Sequence, residues 1–231
     1  ASSWMKLHDN KSQETSVSLW KRYIKSYPQP FALALEARNN LISLYGELNV
    51  KWKQDFWRNK IIVTVDSNKL QDVRARSLAA QSQLSLANDI LSDFNTIKLT
   101  QPLKKSLKLK RQKLTAALKG FSKILDYRIQ PISTQAGYRI GELYAILAQS
   151  ILKSERPKGM TDIELEEYDT LLEEKVFPVE DQAIEALEAN VGLTKIEVWD
   201  EWIQQSYNQL ELLMPARYKK PEVIDDYVTT P

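Results

Sequence analysis

Cysteine is absent and histidine occurs once, as His8. Without thiols or clustered imidazoles, disulfide frameworks, Cys/His zinc sites, cysteine nucleophiles and nearly all histidine general bases are excluded. Glycine and proline are sparse, 6 and 9 in 231 residues, while alanine, leucine, glutamate, lysine, glutamine and arginine abound. That balance disfavours long irregular loops and predicts helices with short connections. An excess of one charge is missing too: 32 basic and 30 acidic side chains leave +2, too little to gather nucleic acid or an anionic membrane. Apolar stretches such as residues 143–148 fall far short of the ~20 residues that a membrane-spanning helix needs. No cofactor is expected. The length suffices for a sizeable core in one large domain or two small ones. The chain opens on Ala1, and we read residues 1–10 as a mature or trimmed end within a longer parent.

What is present is helical periodicity. Ser16, Trp20, Tyr23, Ile24 and Tyr27 share one face, and Pro28 and Pro30 stop that helix. Ala34, Ala37, Leu41, Leu44 and Tyr45 repeat the pattern up to Gly46. Trp52, Phe56 and Val63 mark a third helix, although the β-branched run over residues 61–65 would suit a strand. Residues 70–94 are rich in alanine and serine and should sit between other helices. Pro102 opens a long helix whose stripe runs from Leu103 through Leu114 and Phe121 to Leu125. Beyond Pro131, Ile140, Leu143, Tyr144, Leu147 and Ile151 form its partner, ending in a turn over residues 155–159. Thr161 with Glu164, and Thr194 with Glu197, have the spacing of capping boxes and predict the starts of two C-terminal helices. The first should break or bend near Pro178, and the second stops before Pro215.

Helix pairs of about 30–40 residues, none able to bury its stripe alone, predict an all-α stack of antiparallel hairpins. The organisation expected is degenerate hairpins over residues 1–95, a helical-hairpin region over 96–218, and an extended tail over 219–231. Ser16, Trp20, Tyr23 and Pro28 have the spacing that closes a tetratricopeptide repeat, which that family's fold would extend into a right-handed solenoid.

A second resemblance covers residues 97–218. It is carried by Ile97-Lys98-Leu99, Tyr138-Arg139-Ile140-Gly141-Glu142, Ser154-Glu155-Arg156-Pro157-Lys158-Gly159, Tyr168, Leu171-Leu172-Glu173-Glu174, Asp200-Glu201-Trp202 and Met214-Pro215-Ala216-Arg217-Tyr218. In their order and spacing these resemble the C-terminal region of large proteobacterial tetratricopeptide proteins grouped with the TonB energy-transduction system, with relatives in gliding-motility machinery. The resemblance implies a non-catalytic protein-binding scaffold in the periplasm, with TonB-type energy-transducing or other envelope proteins as partners. A second copy of the chain is an alternative partner, and no membrane insertion is expected.

Two segments oppose one another in charge. Residues 102–128 hold nine basic side chains (Lys104, Lys105, Lys108, Lys110, Arg111, Lys113, Lys119, Lys123, Arg128) and one acid, Asp126, so 9 − 1 = +8. Residues 160–190 hold eleven acids, among them Glu166, Glu167, Glu173 and Glu174, and one base, Lys175, so 1 − 11 = −10. The plainer reading is two solvated helix faces that attract one another across the stack. The sharper one is a pair of docking surfaces using Lys104, Lys105, Lys108 and Arg111 on one side and Glu166, Glu167 and Glu173 on the other. Aromatic residues are not interleaved among the lysines, so nucleic acid is not expected.

Trp20, Trp52, Trp199 and Trp202 fall on apolar stripes and are expected in the core, whereas Trp57 lies off its stripe and is a candidate contact residue. Residues 156–159 read as a turn, and Arg217 and Tyr218 are expected to lock the tail to the last helix, with Arg139 and Glu142 of the preceding hairpin as polar partners. His8 reads as an exposed terminal side chain. Three further readings stand beside the scaffold. One is a peptide groove lined by Arg38, Asn39, Asn40 and Gln81. Another is a structural cap of a longer array. The last is a helical hydrolase using a glutamate such as Glu166, Glu173 or Glu174.

Overall fold

The computed structural model describes residues 10–219; His8 and residues 220–231 of the expected tail lie outside them. Alanine and the straight-chain residues do what their rotamer freedom predicts, and the described residues contain helices and no strand. In chain order these are α1 (Asn10–Ser26), α2 (Phe31–Glu47), α3 (Lys51–Ser67), α4 (Val73–Thr96), α5 (Leu103–Tyr127), α6 (Ile132–Leu152), α7 (Asp162–Val191), α8 (Glu201–Leu213) and the single turn α9 (Pro215–Tyr218). A 3₁₀ segment, Gly192–Ile196, follows α7.

From α1 to α8 each helix packs on the next in an antiparallel hairpin, and α2, α4, α6 and α8 also touch in series, α2 on α4, α4 on α6, α6 on α8. The even-numbered helices therefore form one layer of an all-α stack. The odd-numbered helices form the other, running parallel, with no close packing of α5 on α7. The main apolar cluster extends from Leu35 through Phe94, Phe121 and Leu143 to Val176 without interruption at residues 95–96. Smaller clusters flank it: Val17, Leu41, Leu44 and Tyr45 toward one end, and Leu187, Val191 and Leu210 toward the other.

Backbone approach is closest between α6 and α7. A Cβ on Gly141 would lie 2.5 Å from Leu187 Cγ, and one on Gly137 would lie 2.6 Å from Asn190 Oδ1. Asn190 is buried; its amide donates to the Thr134 carbonyl (3.1 Å) and to Ser206 Oγ (2.8 Å), tying α7 to α6 and α8. Asp200 completes the joint by accepting from the Trp202 and Ile203 amides at the start of α8 and from the Thr134 hydroxyl.

Lys110, counted among the basic residues of α5, is 2% exposed. Its ammonium donates to the carbonyls of Phe94 (3.2 Å) and Ile97 (2.9 Å) and stands 4.3 Å from the centre of the Phe94 ring. It thus caps the C-terminus of α4, where carbonyls lack helical partners and a cation complements the dipole. Burial pushes its pKa down. Tyr127, also buried, donates to Asp66 Oδ1 at 2.8 Å and so links α5 to α3. Burial, then the Asp66 carboxylate, raises the phenol well above its ordinary value of 10.0.

Several expectations need correction. α7 runs through Pro178 without a break, because that residue faces solvent, where the carbonyl it leaves unpaired is open to water. Thr161 and Glu164 do form a capping box. Thr194 does not: its hydroxyl bonds the Val191 carbonyl, closing the preceding helix, and Asp200 caps α8 instead. Trp52 and Trp199 are 70% and 61% exposed and are not core residues. Ile61, Ile62 and Val65 supply the buried face of α3, so the stripe begun by Trp52 turns outward. Arg139 bonds Glu142 on its own helix, and Arg217 and Tyr218 bond Glu188 of α7.

Three outcomes follow from this packing. Gly141→Val should lower stability by about 1–3 kcal/mol through overpacking against Leu187, whereas Gly192→Ala, which meets nothing within 4 Å, should not; urea unfolding distinguishes them. Lys110→Met, which leaves the Phe94 and Ile97 carbonyls unpaired, should cost about 1–3 kcal/mol in the same assay. Tyr127 gives a pH dependence. Its unfolded phenol ionises near 10.0 while the folded one keeps its proton. The stability it contributes is therefore full below that pH and lost as pH rises above it. Unfolding curves between about pH 9 and pH 11 should show a decline that Tyr127→Phe makes shallower.

Candidate protein-docking faces

The solvent side of α3 exposes a row of large apolar side chains. Trp52, Phe56 and Val63 recur at helical spacing on one side, with exposures of 70%, 48% and 57%. Lys53 stands 5.3 Å from the Trp52 ring and Lys60 5.4 Å from the Phe56 ring, so cations rim the stripe. Trp57 lies half-buried beside it, packed on the cluster of Leu41, Leu44 and Tyr45 and edge-on to Phe56. The sequence stripe was visible from its periodicity, but helical spacing alone does not say whether a face is buried within the chain or exposed. Only the second, buried set of β-branched residues reveals which.

α5 and α7 present ridges of opposite charge. On α5, Lys104, Lys105, Lys108, Arg111 and Lys119 are exposed. Ion pairs take up other members of the basic set: Lys113 with Asp93 of α4 (2.7 Å) and Lys123 with Asp66 of α3 (2.5 Å). On α7, Glu166, Glu167, Glu173, Glu174, Asp181 and Glu185 are exposed. Asp169 pairs with Arg156 (2.6 Å) and Glu188 with Arg217 (2.7 Å). Among the described residues no ion pair joins α5 to α7, because α6 lies between them.

Between the two ridges, near the α5–α6 turn, lies a cleft of about 620 Å³. Gly137 and Ile140 of α6 form its floor, Leu125 stands on the α5 rim, and Ala189, Leu193 and Ile196 on the other. Absence of side-chain bulk at Gly137, demanded by Asn190 behind it, also keeps this floor low. Arg156, read as part of a turn, is structural: its guanidinium binds Asp169 and the carbonyls of Leu152 and Ser154.

The polar side of α2 and α4 is engaged internally at Arg38 and Arg74. Arg38 donates to Thr64 Oγ1 at 2.6 Å and Arg74 pairs with Glu36 at 2.6 Å; Asn39 and Asn40 are half-buried, and Gln81 is exposed. Among the described residues no set of three or more His, Cys, Asp or Glu side chains is placed to hold a metal ion, and no helix is long and apolar enough to cross a membrane.

Compared with protein-family models, with curated proteins and with solved structures, the chain matches none.

Proposed function

We propose that this chain is a helical-repeat scaffold that holds another protein, acting by shape and charge with no bond made or broken. The exposed stripe of Trp52, Phe56 and Val63 carries the reading. Large aromatic side chains left in water at one face are what protein contacts bury, and tryptophan is enriched among residues that dominate binding energy. The resemblance over residues 97–218 adds a location and a partner class: the periplasm and proteins of TonB-type energy transduction. The rival peptide groove is less well supported, since Arg38 is already bonded to Thr64.

Photo-crosslinking in intact cells of the parent organism tests this, with the reactive side chain placed at Trp52, Lys108 or Glu166. Adducts from position 52 to a second protein are expected, and an energy-transducing protein of the inner membrane among them would support the envelope assignment. Absence of any adduct from position 52 to another protein would overturn the scaffold reading in favour of a structural cap. The double variant Trp52→Ala, Phe56→Ala should weaken capture of the crosslinked partner at least ~30-fold. Its unfolding curve should hardly move, because both side chains are exposed.

A further inference from the structure

The ridges of α5 and α7 fit a second copy of this chain. We infer that two copies associate face to face about a twofold axis running along the groove between α5 and α7, each basic helix lying on its mate's acidic helix. Three observations carry the inference.

The first is direction. The two helices lie in the same layer, both antiparallel to the intervening α6 and therefore parallel to one another. A twofold axis parallel to them, placed midway, maps α5 onto the position facing α7 and α7 onto the position facing α5. Both contacts then join opposite charges, as an isologous interface requires. An axis across the helices would put lysine on lysine and glutamate on glutamate.

The second is register. The cleft places Leu125 of α5 at the level of α7 residues 186–190, which line it too. Counting back equally along both helices, 125 − 108 = 17, so Lys108 stands at the level of residues 169–173 (186 − 17 = 169, 190 − 17 = 173). By the same count Lys104 stands level with residues 165–169, which include Glu166 and Glu167; Arg111 with 172–176, which include Glu173, Glu174 and Lys175; and Lys119 with 180–184, which include Glu180 and Asp181. Lys104, Lys108, Arg111 and Lys119 follow helical spacing along one exposed side of α5, as Glu167, Glu174, Asp181 and Glu185 do along α7. The parallel axis preserves these levels in the pair.

The third is what lies beside the axis. Leu125 and Ile196, on opposite rims of the cleft, are 39% and 68% exposed. The twofold brings Leu125 of one copy toward Ile196 of the other, giving the charged contacts an apolar complement. Two ridges about 37 Å long, with α6 in the other layer holding them apart by less than the ~18 Å of two helix spacings in line, cover at most roughly 650 Å² per copy. That is somewhat below the ~800 Å² per partner of a standard interface. The product is a reversible, salt-sensitive dimer.

Sedimentation of the full chain tests this. At low salt a concentration-dependent species that stops at dimer is expected, and raising salt from ~0.05 M to ~0.5 M should weaken it at least ~10-fold. The basic-ridge variant Lys104→Glu, Arg111→Glu, Lys119→Glu should be monomeric, as should the acidic-ridge variant Glu167→Lys, Glu174→Lys, Asp181→Lys. Mixed in equal amounts, the two should form a heterodimer, because every facing pair is then complementary again; this recovery also establishes that both variants are folded. A wild-type monomer at low salt, growth beyond dimer, or no recovery on mixing would overturn the inference. None of these results bears on capture through Trp52, so this proposal and the scaffold reading fail separately.

Discussion

The contact between α6 and α7 sets the geometry on which both candidate faces of the C-terminal half depend. At Gly137 and Gly141 there is no room for a side chain, since Asn190 Oδ1 and Leu187 Cγ occupy the places their Cβ atoms would take. The helices approach until Asn190 reaches Thr134 and Ser206, and α8 is held in the same network through Asp200. With α6 drawn close to α7 on one side and packed on α5 on the other, the two charged ridges stand at fixed separation with a low floor between them.

Opposite charges in one chain usually suggest internal pairing, and the fold denies it here by inserting α6. Of the basic residues in α5, the structure employs three internally, each for a different purpose. Lys110 caps α4, Lys113 meets Asp93, and Lys123 meets Asp66. The remainder are directed to solvent, as are most carboxylates of α7. Surface ion pairs contribute little to stability. Retaining charges of one sign along a whole ridge therefore speaks for recognition more than for folding.

Much of the architecture was legible in the sequence. Helical spacing located every long helix, Pro28, Pro30, Pro102 and Pro131 fell at the connections, and the capping box at Thr161 marked the start of α7. Misreadings arose where two signals of the same kind compete. Thr194 with Glu197 has the spacing of a cap, yet Asp200 holds α8, because the Thr194 hydroxyl is taken by the Val191 carbonyl. Trp52, Phe56 and Val63 share a stripe with the same period as Ile61 and Val65, and periodicity does not rank one face above the other. Lys110 illustrates the limit differently: nothing in composition separates a buried cation from the exposed ones a turn away.

The serial packing of α1 through α8 bears on how the chain acquires its structure. Almost every helix finds its principal neighbour within the next few tens of residues, so loop closures are short and the contact order is low. Chains of that kind gain native contacts quickly, and a domain emerging from a ribosome folds progressively from its first segments. Here the first hairpins can bury their stripes while later helices are still being synthesised. The exposed apolar side of α3 would then be presented early, available to a partner before α7 and α8 have closed the far end of the stack.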